Sequence, residues 1–304
     1  MKSLILNIYG LLRRRYEAWS YHSDSVFQVQ EGNDFIRSVM QKGLPSAMGK
    51  IGSVELLALK HYLRTRKEKN RDGIWEKHRK ELYVNAGVFP PVGGVYDQWA
   101  ESFLEAIRYM TVLGVWFHAG EAKIVKTYCS SGRLVPIRGL EPYYSNEPWS
   151  AALSGKRVLV LHPFVSTISK QYPRRLEIWP RQPEILPDFE LLIIKVPLSD
   201  GVVKSSFSDW FETLGYLKSC MDKVEFDVAI VGAGAYSLPL VVHARKLGKI
   251  GIHLGGATQI LFGIKGLRWD RHPVISTFYN YAWCRPSKEE TPESHREVEE
   301  GCFW

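Results

Sequence analysis

A carboxylate follows a predicted strand and turn near the start of the chain. Residues 46–51 predict a short strand, Gly52 a tight turn, and the next helix carries Glu55 in its first turn. A carboxylate at such a corner can take a proton from a substrate or bind a metal ion. The structural alternative is that Ser53 caps the helix and Glu55 favours the positive end of its dipole.

Two glycines, Gly232 and Gly234, lie between an apolar run and a predicted helix. Glycines at this position let a phosphate approach the backbone and the helix N-terminus. A nicotinamide or flavin site requires a third glycine, where this chain has Ser237, and a carboxylate after the next strand, where it has His253. The turn therefore indicates nucleotide phosphate binding rather than a dinucleotide or methyltransferase site. The alternative is a tight turn of a doubly wound sheet.

A second set of polar residues follows another apolar run. His162 ends the run, and Ser166, Thr167 and Gln171 lie in the next predicted helix. Ligands of open α/β sheets bind beyond the carboxyl ends of the strands, so these residues are candidates for phosphate contacts. The alternatives are helix capping by Ser166 and Thr167 and a structural role for His162.

A glycine-rich segment between residues 253 and 269 is the third candidate. Its glycines suggest a loop whose backbone lies close to a ligand, and its basic side chains could neutralise a diphosphate. A packed loop with surface charges is the alternative. The candidate residues here are Gly255, Gly256, Gln259, Lys265 and Arg268.

Short apolar runs alternate with amphipathic helices, especially in the second half of the chain. This alternation predicts βαβ units, hence an α/β protein with a doubly wound, mostly parallel, Rossmann-like sheet in one large domain. The helices are expected to begin at Asn33, Val54, Asp97, Phe207 and Tyr236. The strands are expected over residues 46–51, 112–117, 158–164, 191–197, 226–231 and 249–256.

The ends of the chain differ from this central domain, which spans residues 31–285. Residues 1–30 predict an amphipathic, basic, helical extension that rests on an anionic membrane or on the protein itself. Residues 286–304 contain two basic and six acidic residues and predict a flexible acidic tail.

Composition excludes several classes of protein. The 304 residues are 45% hydrophobic and 24% charged, which is typical of a globular protein, and no run reaches the about 20 apolar residues of a membrane-spanning helix. Four widely spaced cysteines indicate a reducing compartment, so we expect a cytoplasmic protein. The net charge of +8 includes nine basic and three acidic residues over residues 60–80 and favours anionic partners. Nucleic acid is not expected among them, because no recognition motif is present.

Several of these segments together resemble the GT-D-fold glycosyltransferases, bacterial enzymes that use nucleotide sugars to build surface glycans. The resemblance covers residues 35–269, and its most distinctive part is the last segment. It is carried by KIGSVE at 50–55, NAGVFP at 85–90, HPF at 162–164, VGAGAYS at 231–237 and HLGGATQ with FGIKGLRW within 253–269.

The resemblance implies a GT-D-type fold and a candidate catalytic residue, Glu55. In the family, an Asp and a Glu of this motif form an acidic site for Mn²⁺ or Mg²⁺; here the Asp position is Ser53, a poorer ligand. Either another acid such as Asp97 completes the site with Glu55, or basic side chains and helix N-termini stabilise the diphosphate.

The implied activity is transfer of a sugar from a nucleoside diphosphate to a glycan or lipid-linked acceptor in surface polysaccharide synthesis. The basic segments would hold such an enzyme at the cytoplasmic face of an anionic membrane. The alternative is a non-catalytic subunit that binds a nucleotide or glycan within a polysaccharide assembly system.

Overall fold

A computed structural model describes residues 17, 19–21, 26–66, 72–198 and 205–304, without the side chains of 72–75. Most of the predicted extension over residues 1–30 and the centre of the basic cluster therefore lie outside the described residues. No helix in the described part of the chain has both the length and the apolar character required to cross a membrane.

The described residues contain one seven-stranded sheet in the order β3-β2-β1-β7-β6-β4-β5, and every neighbouring pair is parallel. Apolar runs fill the central strands because both faces of a parallel sheet are covered. The predicted α/β fold is confirmed. The strands are β1 (Ser46–Lys50), β2 (Val112–Val115), β3 (Arg133–Pro136), β4 (Arg157–His162), β5 (Glu190–Lys195), β6 (Val228–Val231) and β7 (Ile250–His253).

Helices cover the two faces of the sheet. The α-helices with described bounds are α1 (Val29–Gln41), α2 (Ser53–Thr65), α3 (Asp72–Ala86), α4 (Gly93–Arg108), α5 (Glu121–Tyr128), α6 (Val165–Gln171), α7 (Arg175–Ile178), α8 (Trp210–Asp222), α9 (Ser237–Lys246), α10 (Ala257–Leu261) and α11 (Leu267–Asp270). One core cluster contains the buried residues of α2, α3, α4, α5, α8 and α9. The other contains those of α1, α6, α7, α10 and α11. The sheet is therefore doubly wound.

Two helices begin earlier than the sequence predicted. Helix α1 begins at Val29 and α4 at Gly93, so the expected caps Asn33 and Asp97 lie inside the helices. The Asn33 side chain instead makes a tertiary contact, because it accepts a hydrogen bond from the Trp149 backbone N–H at 2.7 Å. The edge strand β3 was not predicted, because its four residues carry no long apolar run.

Neighbouring strands in the middle of the sheet send the chain to opposite faces. Strand β1 leads into α2 on one face, and its neighbour β7 leads into α10 on the other. Likewise β4 leads into α6 and its neighbour β6 into α9 on the opposite face. Connections that diverge in this way open a crevice at the carboxyl ends of the strands.

The predicted flexible tail is packed against the body. Trp304 is 8% exposed and belongs to the core cluster that contains the buried residues of α1 and α6. Glu290 is 6% exposed. The Trp304 indole N–H donates to the Glu290 carbonyl oxygen at 2.8 Å. Its acidic composition suggested a solvated segment, but the buried side chains of Val298 and Trp304 attach it to the body. Residues 286–304 are called the C-terminal strap below.

Candidate functional site

A cavity of about 500 Å³ lies at the carboxyl edge of the sheet. Its volume is within the range of small-molecule sites. Residues at or just after the ends of six strands contribute to it. They are Trp116 (β2), Lys50 (β1), His253 (β7), Gly232 (β6), His162 (β4) and Val196 (β5).

The structure brings most of the residues proposed from sequence to this one cavity. They were proposed from four separate segments of the chain, so their convergence is a property of the fold. The lining residues among them are Glu55, His162, Gly232, Gly234, Gly255, Gly256, Gln259 and Arg268, and Ser53 lines the cavity beside them.

Ser166 and Thr167, which the sequence suggested for phosphate contacts, do not line the cavity. The Ser166 N–H donates to the Glu290 carboxylate at 2.6 Å and the Thr167 N–H at 3.1 Å. The Thr167 hydroxyl donates to the same carboxylate. A side chain of the strap therefore occupies the N-terminal amides of α6.

Gln171 and Lys265 are also placed elsewhere. The Gln171 amide donates to the carbonyl oxygens of Gly263 at 3.1 Å and Ala282 at 3.0 Å, which joins two loops. The Lys265 ammonium lies 5.1 Å from the centre of the Tyr279 ring. Neither side chain is among those that line the cavity.

Glu55 lies in the first turn of α2 with 9% of its surface exposed. Burial raises the pKa of its carboxyl to about 7, and the negative charge of Glu299 adds to the rise. Hydrogen bonding to its own backbone N–H and the charge of Lys50 act in the opposite direction. The carboxyl folds back over Gly52, where a side-chain carbon would collide with Oε2. A group with this pKa can exchange a proton near neutral pH.

Lys50 ends β1 and brings a positive charge into the cavity. Its ammonium lies 5.1 Å from the centre of the Trp116 ring. Burial lowers its pKa, while the charges of Glu141 and Glu55 raise it. Such a cation, removed from bulk water between carboxylates and an aromatic ring, is suited to bind an anion.

Hydrogen bonds fix the position of Trp116, which lines the cavity just after β2. Glu121 is 1% exposed, and its carboxylate accepts from the backbone N–H groups of Trp116 and His118 at 3.1 and 3.2 Å. The Trp116 indole N–H donates to the Ile51 carbonyl oxygen at 2.9 Å. The loop after β2 is thereby tied to the end of β1, which carries Lys50.

The predicted glycine turn has no room for a side chain. A Cβ at Gly232 would lie 2.6 Å from His162 Cδ2 and 3.0 Å from the carbonyl oxygen of Gly255. Gly234 and Gly255 have φ angles of +51° and +58°, which favour glycine. Glycine is thus required at Gly232 by close packing against His162 and Gly255, and at Gly234 and Gly255 by the backbone conformation.

Both histidines of the cavity are neutral. Burial lowers the pKa of His162 to about 3, and burial together with Lys50 lowers that of His253 to about 3. His162 Nδ1 accepts from the Phe164 N–H at 3.0 Å, and His253 Nδ1 faces the Val231 carbonyl oxygen at 3.2 Å. In each ring, Nδ1 faces a backbone group of a neighbouring loop or strand, a contact that fits the alternative structural role of His162; His162 also lines the cavity.

The donor set does not fit a Mg²⁺ or Mn²⁺ site. Glu55 and Glu299 are the carboxylates that line the cavity, and Glu299 is paired with Arg268. Asp97 lies in the second turn of α4 and does not line it. Among the described residues, no group of three or more His, Cys, Asp or Glu side chains is placed to hold a metal ion.

Sequence analysis assigned no site role to several polar residues of the cavity, among them Lys50, Asn85 and Glu299. Lys50 had a local signal, because it precedes the turn that carries Glu55. Asn85 lies within a segment that contributed to the family resemblance but received no role. Glu299 had no signal, because its contact with Arg268 spans 31 residues of chain without periodic pattern.

No protein-family model, no curated protein and no solved structure matches this chain. The residues around the cavity provide one buried carboxyl group, two cationic side chains and glycine backbone at the carboxyl edge of a parallel sheet.

Proposed function

We propose that this protein is a glycosyltransferase that moves a sugar from a nucleoside diphosphate donor to a glycan or lipid-linked acceptor. The observation that carries the proposal is the meeting, in one cavity, of Glu55 with Lys50 and Arg268. Transfer from a diphosphate needs a group that accepts a proton and groups that stabilise the departing phosphate charge. The cavity contains both kinds.

Charge and apolar surface are unevenly distributed along the cavity and suggest how the donor lies. Lys50 lies at the β1 side, whereas Phe164, Val196 and Leu198 follow β4 and β5 at the other side. An apolar wall suits a nucleobase, and a cation suits a diphosphate. The donor would then lie across the strand ends, with its sugar near Glu55.

The chemical step follows from this placement. Glu55 takes the proton of the acceptor hydroxyl, whose oxygen forms a bond to the anomeric carbon of the sugar. The bond from that carbon to the diphosphate breaks, and the diphosphate leaves with the electron pair. Lys50 and Arg268 stabilise its charge. No step requires a metal ion.

The first test is binding. Melting temperatures would be measured with nucleoside diphosphates and nucleotide sugars, each with Mn²⁺, Mg²⁺ or EDTA. A ligand that binds only the folded protein raises the melting temperature as its concentration exceeds Kd. We expect a rise with one nucleotide that persists in EDTA. A rise that requires metal would contradict the metal-free step, and no rise with any nucleotide would contradict the proposed function.

A second candidate is a non-catalytic subunit that binds a nucleotide or glycan. It is favoured by Ser53, which replaces one acidic residue of the motif that the chain resembles. A turnover measurement separates the transferase from the non-catalytic subunit. Release of the nucleoside diphosphate in the presence of acceptor supports a transferase, whereas saturable binding without release supports the subunit.

Gly52→Ala tests the position of the Glu55 carboxyl. The φ and ψ angles of Gly52 are −66° and 157°, which alanine readily adopts, but its methyl group would displace Oε2 of Glu55. We expect the transferase rate to fall about tenfold or more, because small misplacements of a catalytic group are costly. Nucleotide affinity should change little.

The matched control is Gly94→Ala, at the start of α4, where a Cβ would meet no atom within 4 Å. It should leave the rate unchanged. Equal rates for Gly52→Ala and the wild type would show that the position of the Glu55 carboxyl does not matter.

A further inference from the structure

The C-terminal strap forms one wall of the cavity. Glu299, Phe303 and Trp304 line it. The Gln259 side-chain amide donates to the Phe303 carbonyl oxygen at 2.8 Å, and the backbone N–H of Arg268 donates to the Cys302 carbonyl oxygen at 3.1 Å. The strap is thus fixed to the glycine-rich segment after β7.

The part of the strap that carries Glu299 has an unusual backbone. Glu299, Glu300 and Gly301 have φ angles of 45°, 58° and 76°, so three consecutive residues are left-handed. This conformation is unfavourable for a side chain such as glutamate. The Glu299 N–H donates to Asn85 Oδ1 at 3.3 Å. Strained backbone of this kind concentrates at ligand clamps and switch regions.

The strained turn presents the Glu299 carboxylate to Arg268. The Arg268 guanidinium donates to Glu299 Oε2 and to Cys302 Sγ, the latter at 3.0 Å, and lies 4.7 Å from the centre of the Phe303 ring. The exposed fractions of the Arg268 and Glu299 side chains are 40% and 28%. An ion pair as accessible as this contributes little free energy, so a more highly charged anion can replace it.

The ion pair between Glu299 and Arg268 changes the net charge of the cavity. Its lining contains two cations, Lys50 and Arg268, and two carboxyl groups, those of Glu55 and Glu299. With both carboxyl groups ionised, the formal charges cancel. Glu299 therefore reduces the attraction of the cavity for a phosphate group and occupies one of its two cations.

A second carboxylate of the strap, that of Glu290, also pairs with hydrogen-bond donors of the body. It accepts hydrogen bonds from the backbone N–H groups of Ser166 and Thr167, which sequence analysis had assigned to phosphate binding. Two carboxylates of one segment thus pair with two groups that were expected to contact a diphosphate.

We propose that Glu299 competes with the phosphate of the ligand for Arg268, so that the strap limits the affinity of the site for anions. This inference rests on the proposed function in taking the ligand to be a nucleoside diphosphate. When the ligand binds, its phosphate replaces the Glu299 carboxylate on Arg268. When the diphosphate leaves, the carboxylate pairs with Arg268 again and assists its release.

The test is titration calorimetry with two probes, inorganic pyrophosphate and the nucleoside diphosphates. Glu299→Gln should bind pyrophosphate about two- to fivefold more tightly than the wild type, because the competing ion pair is absent. Arg268→Gln should bind it more weakly, and adding Glu299→Gln to that variant should bring no gain. The melting temperature of every variant is measured first. If Glu299→Gln melts at a lower temperature than the wild type, Glu299→Ser is used in its place.

Glu300→Gln is the matched control, because Glu300 is the exposed neighbour in the same left-handed turn. It should bind pyrophosphate as the wild type does. Weaker or unchanged binding in Glu299→Gln, an equal gain in Glu300→Gln, or no pyrophosphate binding by any variant would overturn the proposal.

The two probes separate this proposal from the proposed function. If Glu299→Gln tightens pyrophosphate binding but no nucleoside diphosphate binds, competition for Arg268 stands and the nucleotide-dependent function fails. If nucleotides bind but Glu299→Gln gives no gain with either probe, the function stands and the competition fails.

Discussion

Replacing Glu55 by glutamine is expected to lower the transferase rate about 10²- to 10⁴-fold, the contribution typical of general base catalysis. Glutamine keeps the size of the side chain but cannot accept the proton of the acceptor hydroxyl. Binding of the nucleoside diphosphate should change much less, because Lys50 and Arg268 remain. The measurements are the initial rate of diphosphate release and the affinity from calorimetry.

The pH dependence of the wild type follows from the same group. The carboxyl acts as a base only when ionised, and burial raises its pKa to about 7. The rate should therefore be constant well above pH 7 and fall about tenfold per unit well below it. A rate that stays constant down to pH 5 would contradict a base with this pKa.

Glu105→Gln is the control for the change of charge. Glu105 is exposed on α4, does not line the cavity, and should be replaceable without effect on the rate. Full activity of Glu55→Gln would rule out the proposed base, whereas equal losses in the two variants would point to charge alone.

Lys50→Met is expected to weaken the affinity for the diphosphate about tenfold or more, because charged hydrogen bonds to phosphate are among the strongest in proteins. Methionine keeps much of the apolar stem beside Trp116 but removes the ammonium. The measurement is the affinity for a nucleoside diphosphate and for the corresponding nucleoside. The nucleoside should be affected little, because it has no phosphate.

The same change should move the pH dependence in a defined direction. The charge of Lys50 lowers the pKa of Glu55, so its removal raises that pKa further. The midpoint of the rate profile should therefore shift to higher pH. A shift to lower pH, or an unchanged profile, would show that Lys50 does not act on Glu55.

Lys42→Met is the control for this variant. Lys42 is exposed at the end of α1, before β1 begins, and does not line the cavity. It should leave both affinities and the rate profile unchanged. An equal loss of diphosphate affinity in both variants would indicate a general effect of the net positive charge.

The elements that build the site could be predicted because their signals are local. Continuous apolar runs indicated buried parallel strands, and the position of Gly52 before Glu55 indicated a strand, a turn and a helix. Gly232 and Gly234 were recognised because a tight turn between strand and helix favours glycine. The carboxyl ends of parallel strands meet at one edge, so these turns had to converge.

The tertiary structure alone decided which polar groups reach the cavity. Ser166 and Thr167 had the right types and spacing, yet Glu290 takes their hydrogen bonds from more than 120 residues away in the chain. The strap has the acidic composition of a solvated tail. Its last residue, Trp304, is nevertheless buried, and its Glu299 accepts a hydrogen bond from Arg268. Periodicity and turn chemistry report neighbours in sequence, whereas pairs such as these depend on how distant segments pack.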